Sequence, residues 1–434
     1  MTGFNRRKLL QGTAAGLLGA STQTPWAQTK PEKLVLVCEN SIPWKRTLLY
    51  EIAPAFEKAN GIKIEFAMFP VDAWRARLKA ELSAGSTGID LAMLSVQMSE
   101  WMSPHLLDCN EVVAKISKRD PTFDFKDFLA GGVAAGTFNG KLVGIPYRLT
   151  AQIVMYQKAL LEQAGFAQAP ATFADFRKAA IAVNSPPNRY GFGLMGKQGP
   201  ATFTNVVAWM FSAGGRLFDV KTGEVFLDDG KAAVGLQFYA DLFQKDKVVP
   251  PEAMTWEFDD LIAGAQKDRY AMSATFSSYG TIFNDPKVSQ TAGKWAFSPL
   301  PGATAKEQSR TLVDGQFMGI SKYSKNQDWA MEFVRMACGK QGMIRSMEGG
   351  NSPPRASALR DPEMVAKYGW PSAAATAIET GIPISQYAVW DGLEIALRTG
   401  VSETLLGQKT AKVALEGVAN EWRRNLRRAG ILKR

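Results

Sequence analysis

The first third of the chain alternates short apolar runs with amphipathic segments, and this alternation restricts the fold more than any other feature. Residues 33–37 form an apolar run, residues 62–66 alternate apolar with charged side chains, and residues 89–94 are again mostly apolar. Between them, residues 46–60 and a segment capped by Asp72 carry apolar side chains at helical spacing. Strands that alternate with helices in this way indicate parallel strands joined by crossover helices, so the sequence predicts an α/β fold.

The same pattern continues toward the C-terminus. The further strands that it predicts cover residues 141–147, 190–194, 270–274, 295–300 and 315–320. The further helices cover residues 205–213, 229–243, 259–265 and 327–337, with one more that Thr172 caps and a last one that begins at Thr410. A chain of 434 residues is too long for a single compact core, so two or three domains are expected.

Residues 1–27 have the pattern of an export signal. Arg6 and Arg7 begin it, a weakly apolar stretch follows at residues 12–20, and Ala27 precedes the expected cleavage site. The apolar stretch is far shorter than the roughly 20 residues that a membrane-spanning helix needs. The sequence therefore predicts a protein exported with a cleaved signal, and it leaves open whether the twin-arginine or the general pathway is used.

Few residues of the chain suit catalysis or metal binding. His105 is the one histidine, and the three cysteines Cys38, Cys109 and Cys338 contain no CxxC pair. An odd number of cysteines permits at most one disulfide. Neither a phosphate-binding loop nor a dinucleotide fingerprint is present. We therefore predict no catalytic residue, no metal and no cofactor.

The net charge of +10 is concentrated in part at the C-terminus. The basic residues there are Arg423, Arg424, Arg427, Arg428, Lys433 and Arg434. Cations at the end of a helix interact favourably with its dipole, so this group is interpreted as a solvated helix end. We expect no nucleic-acid partner.

Four segments, taken in order, resemble a known family. They are FEKANGIKI at residues 56–64, the stretch 142–166, ISKYSKNQDWAMEFV at 320–334 and GGNSPPR at 349–355. In their order and spacing they resemble the extracellular solute-binding proteins of ABC importers, in the group of the maltose- and glycerol-phosphate-binding proteins. The resemblance runs from about Lys33 to Gly430.

This resemblance implies the two-lobed periplasmic binding protein fold, with a ligand cleft between lobes joined by multiple crossovers. The first lobe would comprise residues 28–145 and 296–349, and the second lobe residues 146–295 and 350–434. Hinge positions are expected near Ile145-Pro146, in the stretch 285–295 and at Gly349-Gly350, and closure would be a hinge motion.

The candidate ligand-binding residues are polar, charged or aromatic side chains that follow predicted strands or lie at the crossovers. Ligands bind at the carboxyl ends of parallel strands, where such side chains meet. The candidates are Asn40, Ser41, Trp44, Ser95, Gln97, Arg148, Thr150, Thr202, Asn205, Ser278, Tyr279, Asp314, Gln316, Arg355 and Trp390. The segment 276–279 is the expected aromatic platform. For Trp44 and Trp390 a place in the core stays open, and Arg148 has Asp314 as an alternative partner.

The resemblance and these side chains imply the periplasmic substrate-binding component of an ABC importer. It would act as a monomer, capture a neutral carbohydrate or polyol, and deliver it to the membrane permease subunits. Three alternatives stay open. The same fold would also suit a charged solute such as glycerol phosphate or a sugar acid. The chain could instead be an exported carbohydrate-active enzyme or a sensor subunit.

Overall fold

The computed structural model describes residues 29–40, 46–219, 221–306, 310–383 and 389–432, and of Asp72 and Asp391 only the backbone. The predicted export signal, together with Ser41 and Trp44, lies outside the described residues. In the part of the chain that is described, no helix is both long enough and apolar enough to cross a membrane.

The described residues form strands β1 (Lys33–Glu39), β2 (Lys63–Phe69), β3 (Leu91–Ser95), β4 (Thr137–Phe138), β5 (Lys141–Leu142), β6 (Ile145–Gln157), β7 (Tyr190–Gly193), β8 (Tyr270–Phe276), β9 (Trp295–Pro299), β10 (Leu312–Ile320) and β11 (Ile382–Pro383).

The α-helices are α1 (Ala53–Asn60), α2 (Val71–Ser83), α3 (Ser99–Met102), α4 (Cys109–Arg119), α5 (Ala130–Ala135), α6 (Lys158–Gln163), α7 (Phe173–Ala182), α8 (Pro200–Ser212), α9 (Lys231–Gln244), α10 (Phe258–Gln266), α11 (Gly280–Phe283), α12 (Gln327–Cys338), α13 (Lys340–Glu348), α14 (Ala356–Leu359), α15 (Pro362–Tyr368), α16 (Pro371–Thr380), α17 (Trp390–Leu405) and α18 (Ala411–Arg428).

Most of the predicted elements are present, with shifted ends. The side chain of Thr172 caps α7 as predicted, and that of Thr410 also caps α18. Asp72 is not a cap, because α2 begins at Val71. A π-helical turn at Leu48–Ile52 precedes α1 within the predicted helix.

One large sheet connects most of the strands, in the order β2-β1-β3-β10-β6-β8-β7, with β11 beside β10 and β9 beside β6. The prediction of parallel strands holds at both ends of the sheet, where β1 pairs with β2 and β3, and β7 with β8. In the middle, β10 runs antiparallel to β3 and β6, and β6 runs antiparallel to β8 and β9, whereas the short strand β11 is parallel to β10. The α/β class is confirmed, and the two middle strands carry the chain between the two ends of the sheet.

Strand β6 is much longer than the sequence predicted. Its residues 145–151 pair with β10, and its residues 152–157 pair with β8 and β9. We predicted that the strand ends at Pro146, because proline has no N–H for the ladder. Pro146 instead lies at the second position of β6, opposite the register shift that follows Gln316, and such irregularities are where sheets accept proline.

Helices cover both faces of the β1–β3 part of the sheet. On one face, Phe56 of α1 packs edge to face against Phe333 of α12, with ring centroids 5.3 Å apart. On the other face, Val37 belongs to the cluster that contains Trp74 and Leu78 of α2. All three cysteines are buried thiols and take part in these cores.

The predicted cation cluster does lie at a helix end. Arg427 and Arg428 occupy the last turn of α18. Arg423 pairs with Asp228 at 2.8 Å. Lys433 and Arg434 lie outside the described residues.

The chain passes between the two halves of the sheet three times. The first passage is β6, the second is the segment between β9 and β10, and the third follows α13. Because β9 pairs with residues 153–157 of β6, the second passage comes after the predicted hinge at 285–295. At the third passage, Gly350 has a φ of 90° and a Cβ on Gly349 would overlap the Thr47 hydroxyl, so both positions require glycine. The predicted boundaries of the two lobes stay a prediction.

Arg355 ends the third passage and is fully buried, away from any open cleft. Its three guanidinium nitrogens donate to Cys338 O at 2.9 Å, Asp124 O at 3.0 Å, Phe123 O at 2.6 Å and Asp127 Oδ2 at 3.1 Å. Burial opposes ionisation of Asp127. Hydrogen bonds from Ser357 and the Arg355 guanidinium outweigh it and keep the Asp127 pKa below its ordinary value. The structure therefore gives Arg355 a structural role, in place of the solute contact that the sequence predicted.

Replacing Arg355 by Met should destabilise the fold. The substitution keeps most of the volume but leaves Asp127 without its cationic partner and three carbonyls without the guanidinium donor, at a cost of about 3–5 kcal/mol. Urea denaturation of Arg355→Met would measure it. The matched control is Arg360→Met, which breaks an exposed ion pair with Glu379 and should cost less than about 1 kcal/mol. An unchanged unfolding midpoint with lost solute binding would instead restore the role predicted from the sequence.

Candidate ligand-binding site

Three predicted residues meet across the middle of the sheet. Gln316 of β10 lies directly opposite Ser95 of β3 on one side and Arg148 of β6 on the other. Residues directly opposite each other in antiparallel strands carry their side chains on the same face. The sheet therefore brings together a hydroxyl, an amide and a guanidinium from sequence positions that are 53 to 221 residues apart.

Asp314 and Thr150 lie on the same face, two residues along their strands from Gln316 and Arg148, and opposite each other. The backbone N–H of Gly315 donates to Asp314 Oδ1 at 2.8 Å. Burial raises the pKa of Asp314, and nearby Arg148 offsets only part of that effect. Asp314 is thus a desolvated carboxyl group near the Arg148 guanidinium. Among the described side chains, the two form no ion pair shorter than 4 Å.

Glu39, at the end of β1, completes the polar side of the site. Gln316 Nε2 donates to Glu39 Oε1 at 2.8 Å. Its neighbour Asn40, which the sequence predicted as a ligand-binding residue, is exposed. The backbone N–H of Asn40 donates to Phe69 O at 2.6 Å. Side chains alternate between the two faces of β1, so Glu39 lies on the same face as Val35 and Val37. This alternation was the sequence signal that favoured Glu39 over Asn40.

Four polar atoms at this site are buried and lack a hydrogen-bond partner among the described residues. They are Ser95 Oγ, Gln97 Oε1, Arg148 Nε and Gln316 Oε1. Gln97 follows β3 in a short 3₁₀ turn, Val96–Met98, so it lies next to Ser95. A buried polar atom without a partner costs free energy, and several of them in one place mark a site that a polar molecule fills.

An aromatic group faces these polar side chains. Phe258 of α10 stacks on Phe276 with centroids 5.5 Å apart, and Tyr279 contacts both rings edge to face at 5.7 and 6.3 Å. The Arg148 guanidinium carbon lies 5.9 Å from the Phe276 centroid. Burial raises the Tyr279 pKa, and Arg148 partly offsets this. Segment 276–279 is therefore placed as an aromatic wall, and Ser278 is buried within it.

Phe258 was not among the residues predicted from the sequence. This residue begins α10 directly after Glu257, and Glu257 and Asp260 together form the turn that starts the helix. Nothing in the local sequence separates such a residue from one that packs in the core, because only its contacts across the fold reveal the aromatic wall.

Several predicted residues do not join the site. The Thr202 hydroxyl donates to Lys197 O at 2.6 Å, and the Asn205 amide donates to Gln152 Oε1 at 3.0 Å and Ala274 O at 2.6 Å. Trp390 is fully buried and packs against Phe203, Phe218 and Trp422, so the core alternative that its helical spacing offered is the one the structure adopts. The Thr150 hydroxyl faces Ser277 Oγ at 3.3 Å.

The charges of the site nearly balance. Glu39 and Asp314 contribute two carboxylates, and Arg148 contributes one guanidinium. Arg75 of α2 lies close enough to Asp314 to lower its pKa slightly. Within the described part of the chain, no three His, Cys, Asp or Glu side chains come together as metal ligands.

Three solved structures with the same architecture have a sugar or a polyol bound. The maltose-bound MalE3 of T. maritima has a TM-score of 0.77 at 23% identity, over 90% of this chain and 98% of that one. A solute-binding protein of Agrobacterium radiobacter in complex with ribitol has a TM-score of 0.77 at 21% identity, over 91% and 98%. One of Agrobacterium vitis with bound D-mannitol has a TM-score of 0.75 at 22% identity, over 92% and 99%. The fold is therefore that of the two-lobed periplasmic binding proteins.

Curated relatives are distant but extensive. The chain is 24% identical over 317 residues to a probable amino-acid ABC transporter periplasmic-binding protein of Sinorhizobium fredii, covering 71% of this chain and 70% of the relative. It is 25% identical over 317 residues to the erythritol/L-threitol-binding protein of Mycolicibacterium smegmatis, covering 68% and 64%.

Residues 51–372 match the family described as bacterial extracellular solute-binding protein. This match spans most of the chain and includes Ser95, Arg148, Gln316 and the aromatic wall, while Glu39 precedes it. The chain belongs to the bacterial extracellular solute-binding protein family.

Proposed function

We propose that this protein is the periplasmic substrate-binding component of an ABC importer that captures a neutral carbohydrate or polyol and delivers it to membrane permease subunits. The observation that carries the proposal is the set of buried, unsatisfied polar atoms on the face of the sheet opposite an aromatic wall. It would act as a monomer, after export to the periplasm, and would bind its solute without transforming it.

The site offers both hydrogen-bond acceptors and hydrogen-bond donors. Gln97 Oε1, Gln316 Oε1 and the Asp314 carboxylate accept hydrogen bonds, and Arg148 Nε donates one. A solute rich in hydroxyl groups supplies both donors and acceptors, so it can satisfy all of these atoms together. The aromatic rings add an apolar surface for the C–H faces of such a solute.

The electrostatics favour a solute without net charge. The carboxylates of Glu39 and Asp314 repel an anion, and Arg148 repels a cation. The relatives are consistent with this, because the names of several refer to erythritol, ribitol, mannitol or maltose. When the lobes close over the solute, exclusion of water strengthens each of these hydrogen bonds.

One observation favours a second candidate, a solute that carries a carboxylate or phosphate. The Arg148 guanidinium makes no ion pair shorter than 4 Å with any carboxylate of the described residues, although its Nε is buried. An anionic group could pair with it in bidentate fashion. The Sinorhizobium relative, named as a probable amino-acid-binding protein, agrees with this candidate.

A thermal-shift panel tests the proposal directly. Erythritol, ribitol, mannitol, maltose, glycerol 3-phosphate, gluconate and a set of amino acids would each be added to the mature protein. A neutral polyol or sugar at about 100 times its Kd should stabilise the protein by about 2.7 kcal/mol, which raises Tm by several degrees.

The panel is repeated with two arginine variants. Arg148→Ala should lose the shift, and the control Arg424→Ala, on the exposed side of α18, should keep it. If only charged solutes shift Tm, with an affinity that falls steeply with salt, the second candidate replaces the first. If none of the solutes shifts it, both are wrong.

Solute binding should weaken as the pH falls, because of Asp314. Burial raises its pKa, so the carboxylate loses its charge at a pH above that of an exposed aspartate. A protonated acid is a weaker acceptor, so the affinity for a neutral solute should be complete near pH 7 and should decline toward the raised pKa.

Calorimetric titration from pH 7 down to pH 4 measures this decline. Asp314→Asn should bind about ten- to a hundredfold more weakly at pH 7, since hydrogen bonds to charged groups contribute about 1.5–3 kcal/mol. Its affinity should also be nearly independent of pH. A wild-type protein with a flat pH profile would show that Asp314 does not contact the solute.

A further inference from the structure

Three buried hydroxyl groups meet where β6 exchanges one set of strand partners for another. Thr150 Oγ1 lies 3.3 Å from Ser277 Oγ, and Ser277 Oγ lies 3.5 Å from Ser352 Oγ. All three residues are fully buried. They come from β6, from the turn after β8 and from the third passage, and we call them the hydroxyl seam.

One side of the seam is firmly attached to β6. Ser352 O accepts a hydrogen bond from the Leu149 N–H at 2.9 Å, and Asn351 Nδ2 donates to Tyr147 O at 3.2 Å. Asn351 Oδ1 in turn accepts from the Ser352 N–H at 2.9 Å. The third passage and residues 147–149 of β6 therefore move as one unit.

The other side of the seam is held loosely. Hydroxyl-to-hydroxyl bonds usually measure about 2.7–2.8 Å, so separations of 3.3 and 3.5 Å are long and cost little to stretch or shorten. Within the described part of the chain, these two side-chain contacts are the hydrogen bonds that join Ser277 to Thr150 and to Ser352. The seam is thus a compliant contact between two better-bonded bodies.

The seam lies next to both sides of the candidate site. Thr150 is two residues from Arg148 on the same face of β6, and Ser277 follows Phe276 directly. Tyr279 ends the short turn that Ser277 begins. The seam therefore adjoins the point where the Arg148 guanidinium approaches the aromatic wall, 5.9 Å from the centroid of Phe276, which pairs with Gln152 of β6.

We propose that Thr150, Ser277 and Ser352 are positioning residues, which set the separation of the two sides of the site and so the solute affinity, without contacting the solute. The expected effect of these residues on solute affinity rests on the proposed function. Their expected effect on the distance between the two halves of the sheet does not. An altered balance between open and closed forms changes the apparent Kd by the fraction that is competent to bind.

The test uses two variants with matched controls. Thr150→Val and Ser277→Ala remove seam hydroxyls with little change of volume. Ser273→Ala is the control on the same strand, because the Ser273 hydroxyl donates to Gly193 O at 3.0 Å inside one half of the sheet. Thr404→Val is the control for the threonine, since its buried hydroxyl donates to Gly400 O within α17.

Two readouts are needed. Spin labels at Lys79→Cys of α2 and Lys178→Cys of α7, both exposed, report the distance distribution between the halves without solute. Calorimetry with whichever solute the panel identifies reports the affinity. The seam variants should shift the distance distribution and change the affinity by roughly three- to thirtyfold. The controls should leave both unchanged.

The proposal is overturned if either folded seam variant keeps the wild-type distance distribution, or if the controls shift it equally. It is also overturned if the distance distribution shifts while the affinity stays the same. A wild-type protein that binds no solute of the panel contradicts the proposed function alone, because the distances measured without solute still test the seam.

Discussion

The structure depends on the pairing of one strand. β6 pairs with β10 through residues 145–151 and with β8 and β9 through residues 152–157. A strand buried on both faces and bonded on both edges cannot be displaced without breaking both ladders. β6 therefore joins the two halves of the sheet through its hydrogen bonds. The other two passages of the chain also connect the halves, so a hinge motion would bend all three connections.

The same pairing creates the candidate site. Antiparallel pairing of β10 with both β3 and β6 places Ser95, Gln316 and Arg148 in a row, and the end of β8 brings Phe276 beside Arg148. Polar atoms left unsatisfied in this row carry a free-energy cost that stability alone does not explain. Under the proposed function, the hydroxyl groups of a bound polyol would supply partners for these atoms. The hydroxyl seam lies two residues further along β6, where that strand joins the two halves of the sheet.

Several site residues were predictable because loops after strands carry ligand contacts in α/β folds. Ser95, Gln97, Arg148, Asp314, Gln316 and Tyr279 all lie at the candidate site. The errors have physical reasons. Arg355 is an isolated cation in a polar segment, and only the carbonyls of Phe123, Asp124 and Cys338 around it reveal a buried structural role. Thr150 was taken for a solute contact, whereas its hydroxyl faces Ser277.

The sequence by itself determined the α/β class, most of the helices and strands, and the family resemblance, because these follow from local periodicity, capping side chains and ordered segments. Only the tertiary structure decided how far β6 extends past Pro146, since the register shift in its partner β10 accommodates the proline. It also decided that Glu39 and Phe258 join the site. Whether a polar or aromatic side chain faces a cleft or the core depends on its neighbours across the sheet, and these are hundreds of residues away in the chain.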